Sequence, residues 1–129
     1  MTNAGRILIV EDQYLVANDC EFHLKSAGFD CVGLAATADE AVNLACRTQP
    51  DVIVMDVRLA NRSDGVQAAI EIFERFGIRC IFTSGHADSA TREQATPAHP
   101  LGWLNKPYTC ESLIAAVSAA CAEKDSNTH

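Results

Sequence analysis

The sequence predicts one α/β domain built on a parallel sheet of five strands with five helices. Short apolar runs alternate with amphipathic stretches along the chain, as in parallel sheets whose crossovers are helical. Because such crossovers are right-handed, helices lie on both faces and the sheet is doubly wound. The length of 129 residues and a hydrophobic content of 48% fit a single folded domain and exclude a disordered or fibrous chain.

Five short apolar runs are predicted to be the strands. The first, Ile7-Leu8-Ile9-Val10, is a continuous aliphatic run, typical of a strand that is buried on both faces. The other four comprise residues 29–35, 52–56, 78–83 and 101–104.

Apolar residues at helical spacing predict the first three helices. The first covers 13–27 and ends at Gly28, a residue type that commonly follows helices. Thr37 is placed to cap the second helix. The third covers 66–76 and is closed by Gly77.

The C-terminal third has a weaker pattern. A short helix is expected over 87–95, with Pro97 preventing its continuation. The folded core is expected to cover about 6–122, with short flexible tails at both ends and fraying over 124–129. Apolar spacing predicts a last helix through Leu113, Val117 and Ala120.

Charge and composition exclude several classes of function. The formal charge of −7 disfavours attraction to nucleic acid or to an anionic membrane surface. No apolar run is long enough for a membrane span, and no signal peptide precedes residue 6, so a cytoplasmic location is expected. The six cysteines form no closely spaced pair, which predicts reduced and mostly buried thiols rather than a zinc or redox site.

Chemically active side chains lie at the ends of four predicted strands or just after them. Glu11 and Asp12 follow the first strand, Asp56 ends the third, Thr83 ends the fourth, and Lys106 comes shortly after the fifth. Ligands of open parallel sheets bind at the carboxyl ends of the strands, so these groups should meet at one edge. Converging carboxylates require protons or a cation, and an oxygen-only set suits Mg²⁺. The combination indicates phosphoryl transfer, with Asp56 as nucleophile and with Lys106 and Thr83 contacting the phosphoryl group.

These residues, with Pro107 after Lys106, resemble a response-regulator receiver domain of two-component signalling, from Arg6 to about Ala122. The resemblance implies a flavodoxin-like sheet of strand order 2-1-3-4-5. It also implies phosphorylation of Asp56 by a histidine kinase or histidine phosphotransfer protein. The bond between Lys106 and Pro107 is expected to be cis.

The resemblance also implies a metal site and a switch. Mg²⁺ is expected on Glu11, Asp12, Asp56 and the backbone carbonyl of Arg58. Thr83 and Trp103 are the expected switch pair, which would remodel the face formed by helix four, strand five and helix five.

The chain departs from the usual receiver pattern at four positions. Ala60 stands where proline is common, and Gly65 comes one residue late, so the loop after Asp56 is longer. Ser84 replaces a smaller residue, and Trp103 stands where tyrosine or phenylalanine is usual.

The expected function is that of a stand-alone receiver without an output domain. It would signal through an unknown protein partner, through a homodimer on the helix-four to helix-five face, or as a phosphate sink. It is not expected to be an enzyme beyond its own phosphoryl transfer and autodephosphorylation. A phosphorylation-independent pseudo-receiver is the main alternative. A phosphatase with an aspartate nucleophile is disfavoured because Arg58 replaces the required general acid, and an FMN carrier because Glu11 and Asp12 would repel phosphate.

Overall fold

The structure, a computed structural model, describes residues 5–59 and 64–126. These residues form one parallel sheet of strand order β2-β1-β3-β4-β5, so the predicted fold class and strand order are confirmed. The strands are β1 Arg6–Val10, β2 Asp30–Ala35, β3 Val52–Asp56, β4 Cys80–Ser84 and β5 Gly102–Asn105. The helices are α1 Tyr14–Ser26, α2 Ala38–Thr48, α3 Gly65–Phe76, α4 Ser89–Ala95 and α5 Cys110–Ser126.

The apolar core lies on both faces of the sheet. Successive residues of a strand point to opposite faces, so Ile7 and Ile9 pack in one cluster while Leu8 and Val10 pack in the other. The first cluster is shared with α1 and α5, and the second with α2, α3 and α4. Apart from Arg6 at the start of β1, the central strands are therefore apolar until they reach the edge that carries the polar groups.

Local chemistry determines where several helices begin and end. Thr37 accepts a hydrogen bond from the Glu40 N–H at 3.2 Å and caps α2, as predicted. Asp64 caps α3 by accepting from the Val66 N–H at 2.8 Å. Gly77 ends α3 with φ of 71°, a left-handed conformation that glycine adopts without strain.

Some predicted boundaries shift in the structure. β4 begins at Cys80, two residues later than expected, and includes Ser84. Pro97 does not end the helical structure, because it lies in a short 3₁₀ helix, Thr96–Ala98, directly after α4. Proline is tolerated at the start of such a turn, where its missing N–H has no helical partner. α5 continues to Ser126, past the expected end of the core at about 122 and into the segment 124–129 that was predicted to fray. Residues 1–4 and 127–129 of the predicted tails lie outside the described residues.

The loop after β3 is closed at its base. Arg58 and Asp64 form an antiparallel bridge, and the Gly65 N–H donates to the Val57 carbonyl at 2.8 Å. The predicted loop extension, residues 60–63, lies outside the described residues.

All six cysteines lie within the described ranges, and none of them forms a disulfide. The expectation that most are buried is wrong, because only Cys20 and Cys80 are buried while Cys46 is exposed. Burial raises the pKa of Cys80 to about 12. Within residues 5–59 and 64–126, no helix combines the length and apolar character that crossing a membrane requires.

Candidate functional site

Three carboxylates meet at the carboxyl edge of the sheet. One oxygen from each of Glu11, Asp12 and Asp56 lies within 4.8 Å of the others. The neighbouring strands β1 and β3 pair Val10 with Met55. Glu11, the residue after Val10, therefore lies next to Asp56, the residue after Met55. Glu11 and Asp56 are buried, whereas Asp12 is exposed. The parallel order of the strands thus brings together the three acids that the sequence singled out.

Lys106 bridges two of these carboxylates. Its Nζ donates to Glu11 Oε1 and to Asp56 Oδ2, each at 2.8 Å. The Lys106 N–H donates to the Ser84 carbonyl at 2.8 Å, which continues the pairing of β4 with β5 beyond the strand end. One ammonium group therefore lies within the cluster and offsets part of its negative charge.

Burial and pairing act in opposite directions on the charges of this cluster. Desolvation raises the pKa of Glu11, although the hydrogen bond from Lys106 acts to lower it. Desolvation of Lys106 acts to lower its pKa, but the hydrogen bonds to Asp56 and Glu11 outweigh this effect and raise it. Lys106 is therefore held in its charged form beside two acids.

β4 ends in two residues with hydroxyl side chains, Thr83 and Ser84. Thr83 pairs in register with Asp56 and is 2% exposed. Ser84 lines the cleft above the carboxylates, and its Oγ accepts a hydrogen bond from the His86 N–H at 3.1 Å. Of these two residues, Ser84 therefore lines the cleft and Thr83 is not among its lining residues, although the sequence marked Ser84 only as a departure from the usual pattern.

The cleft has a volume of about 460 Å³ and is open to solvent. Asp12, Asp56, Arg58, Ser84 and Lys106 are among its lining residues. The Arg58 N–H donates to Asp56 Oδ1 at 3.2 Å, so the Arg58 backbone lies beside this carboxylate. The Lys106–Pro107 peptide bond is cis.

The donor atoms of the cluster fit a hard divalent cation. They are carboxylate oxygens from three residues, one of them exposed, and no thiol or imidazole belongs to the set. Mg²⁺ prefers oxygen ligands and keeps several waters, which the open cleft can accommodate.

Trp103 lies away from the carboxylates, on the α4 side of the sheet. Its ring stacks on Phe82 with centroids 4.7 Å apart, and Phe82 is also its register partner. The Arg92 guanidinium lies 4.9 Å from the Trp103 ring centroid. The aromatic side chain thus connects α4 to the core next to Thr83.

One contact near the site joins two residues that the sequence does not connect. The Tyr108 hydroxyl and the Cys20 thiol are 3.0 Å apart, and either can be the donor. The two residues are 88 positions apart and belong to no motif, so no sequence signal links them.

Comparison with known proteins identifies the family. The sequence profile of the response regulator receiver domain matches residues 7–118. The chain belongs to this family. It is a receiver domain of the kind used in two-component signalling, and the predicted resemblance is confirmed.

Relatives of this receiver domain include larger regulators. The transcriptional regulatory protein PdtaR of Mycobacterium tuberculosis is 34% identical over 115 residues, which are 89% of this chain and 56% of PdtaR. The phyllosphere-induced regulator PhyR of Methylorubrum extorquens is 32% identical over 119 residues, 91% of this chain and 43% of PhyR. This chain thus spans about half the length of these relatives.

A solved receiver domain has the same fold. It belongs to a modulated diguanylate cyclase of Desulfovibrio desulfuricans G20 and is 30% identical, with a TM-score of 0.86. The similarity covers 95% of this chain and 98% of that one.

Proposed function

We propose that this receiver accepts a phosphoryl group on Asp56 from a phosphohistidine of a histidine kinase or a histidine phosphotransfer protein. The observation that carries the proposal is the position of Lys106, whose Nζ contacts both Asp56 and Glu11 at 2.8 Å. A cation held against the acceptor carboxylate can neutralise the charge of an incoming phosphoryl group.

The transfer requires only one bond to form and one to break. A carboxylate oxygen of Asp56 attacks phosphorus while the bond from phosphorus to the donor nitrogen breaks, and the imidazole departs with its electron pair. Because the Lys106 Nζ already contacts the acceptor carboxylate, it stays close to the phosphoryl group once this group is on Asp56. Thr83 pairs with Asp56 in the sheet, and its hydroxyl is the proposed hydrogen-bond donor to a phosphoryl oxygen.

The same acids are the proposed ligands of Mg²⁺. Glu11, Asp12, Asp56 and the backbone carbonyl of Arg58 would hold it. The ion would supply positive charge that balances the three clustered carboxylates and the phosphoryl group. Self-transfer and autodephosphorylation are the reactions that we propose for this receiver domain.

An apolar surface on α1 supports docking of the donor protein beside the site. The large apolar residues that are exposed within the described chain all lie on this helix: Tyr14, Leu15 and Phe22. Leu15 and Phe22 are seven positions apart, about two helical turns, and so share one side of α1. A depression of about 630 Å³ beside Leu15 shares Gln13 and Lys106 with the phosphoryl cleft. A protein seated on this surface would stand next to Asp56, and apolar patches of this kind mark protein interfaces.

Signal output is proposed to occur through a protein partner or through a homodimer on the face formed by α4, β5 and α5. Trp103 lies within this face, held by Phe82 and Arg92. A change in Thr83 after phosphorylation would be transmitted through the adjacent Phe82 to this stack. The lack of disulfides among the described cysteines fits the cytoplasm as the proposed compartment.

Substitution of Lys106 tests the observation on which the proposal depends. Incubation with acetyl phosphate and Mg²⁺ should add one phosphoryl group to the wild type, as measured by intact mass. Lys106→Ala should slow this addition by about 100-fold or more, the usual effect of removing a group that stabilises developing charge. Lys25→Ala, which removes an exposed lysine of α1, is the matched control. Equal rates for the wild type and Lys106→Ala would contradict the proposed role.

A further inference from the structure

We infer that the hydrogen bond between Tyr108 and Cys20 is a positioning device, which fixes the segment carrying Lys106 so that its ammonium group meets Asp56 and Glu11. The inference rests on the proposed phosphoryl transfer and adds two positioning residues to it. Neither residue touches the reacting atoms.

Because of the strand order, the Lys106 side chain must extend across two strands to reach Glu11. Lys106 follows β5 at the edge of the sheet, while Glu11 follows β1, and β3 and β4 lie between these two strands. The side chain nevertheless reaches Glu11 Oε1 and Asp56 Oδ2 at 2.8 Å each. A lysine side chain has about 2 kcal/mol of rotamer entropy to lose, so its arrival at both oxygens depends on a well-placed backbone.

The backbone on the N-terminal side of Lys106 is fixed by the sheet. Its own N–H donates to the Ser84 carbonyl at 2.8 Å. On the C-terminal side, residues 107–109 connect Lys106 to α5 and lie outside any strand or helix. In this segment Thr109 bonds to Ser112 within the start of α5. Tyr108 instead reaches a different element, α1.

The partner of Tyr108 is well anchored. Cys20 is 3% exposed and belongs to the core cluster formed with β1, β3 and α5, against which Tyr108 also packs. α1 begins three residues after Glu11, at Tyr14. The bond therefore ties the segment after Lys106 to α1, the helix that begins just after Glu11, one of the two carboxylates that Lys106 must reach.

The chemistry of the pair makes it a stable contact rather than a reactive one. Burial raises the pKa of both the Cys20 thiol and the Tyr108 hydroxyl, so both stay protonated at neutral pH. One of the two groups donates its proton to the other across the 3.0 Å separation. Because both groups are neutral, the bond buries no charge. A thiolate sensor would need the opposite shift in pKa.

A purely structural role and a positioning role predict different outcomes for four variants. Tyr108→Phe and Cys20→Ala remove the bond with little change in side-chain shape. Cys20→Ser replaces the thiol with a hydroxyl, which can still donate or accept a hydrogen bond. Cys31→Ala is the matched control, because this half-buried thiol packs against the same cluster away from Lys106.

The first readout is the rate of phosphoryl addition from acetyl phosphate with Mg²⁺. Tyr108→Phe and Cys20→Ala should each slow it by about threefold to tenfold, the ratio corresponding to one intramolecular hydrogen bond. Cys20→Ser should recover most of the wild-type rate, and Cys31→Ala should match the wild type. In a Lys106→Ala background, Tyr108→Phe should have no further effect. An unchanged rate in Tyr108→Phe, or an equal effect in that background, would overturn the inference.

The second readout does not depend on phosphorylation. A brief pulse of an amine-acylating reagent, followed by peptide mass analysis, measures how freely Lys106 reacts relative to Lys25. Loss of the bond in Tyr108→Phe should raise this ratio by about threefold or more, because the ammonium leaves its two carboxylates more often. A ratio equal to that of the wild type would overturn the inference. Should the wild type accept no phosphoryl group, the proposed function fails, while the labelling ratio still decides the role of Tyr108.

Discussion

Substitution of Gly65 by alanine tests how closely the start of α3 approaches the acceptor strand. A Cβ added at this position would overlap the carbonyl oxygen of Asp56 and lie 2.9 Å from its carbonyl carbon. It would also lie 3.1 Å from the Val57 carbonyl oxygen. These atoms belong to the backbone and cannot rotate away, so either β3 or α3 must move.

The size of the effect follows from this geometry. Overpacking a well-packed site costs about 1–3 kcal/mol, and contact with rigid backbone places Gly65→Ala at about 3 kcal/mol. A domain of this class is stable by only about 5–15 kcal/mol, so the variant should fold but lose a substantial part of its stability. The corresponding decrease in Tm is about 10 °C.

Thermal and urea unfolding measure this loss directly. Gly102→Ala is the matched control, because no atom lies within 4 Å of its added Cβ, and its unfolding free energy should stay within about 0.5 kcal/mol of wild type. Phosphoryl addition to Asp56 should also slow in Gly65→Ala, since the shift displaces the acceptor backbone. A variant as stable as the wild type would refute the proposed close approach.

Three further expectations concern separate parts of the molecule. Burial raises the pKa of Cys80 to about 12, so unfolding releases its proton above pH 9.0 and the unfolding free energy should fall as pH rises from there. Urea titrations should show a shallower fall in Cys80→Ala, and an identical slope would contradict this. Arg92→Ala should shift the emission of Trp103, the single tryptophan, to longer wavelength, whereas an unchanged spectrum would show that the guanidinium does not cover the ring. Leu15→Ser combined with Phe22→Ser should slow transfer from a phosphohistidine protein by about tenfold or more without affecting acetyl phosphate, and equal slowing with both donors would contradict docking on α1.

The architecture was predictable from the sequence because local pattern and global fold agree. The run from Ile7 to Val10 is apolar at every position, and the structure buries it between two layers of helices. Glycine at position 77 and threonine at position 37 mark helix ends through their own backbone and side-chain preferences. Boundaries were less predictable where propensity is weak, as at Pro97, which joins a 3₁₀ helix.

For the site, the sequence predicted only which strand end carries each functional group. Parallel strand ends converge, so the proximity of Glu11, Asp12 and Asp56 follows from topology. The contact of Lys106 with Glu11 as well as Asp56 depends on side-chain reach across two strands, which no spacing encodes. The bond from Tyr108 to Cys20 likewise arises from tertiary packing of α1 against the segment before α5.

The most direct test of the account is the intact mass of the protein after incubation with acetyl phosphate and Mg²⁺. We expect addition of one phosphoryl group, which is lost in EDTA and in Asp56→Asn. Where acetyl phosphate is ineffective, a phosphohistidine protein replaces it as the donor. Addition that persists in Asp56→Asn would contradict Asp56 as the acceptor, and no addition from either donor would indicate a pseudo-receiver that signals without phosphate.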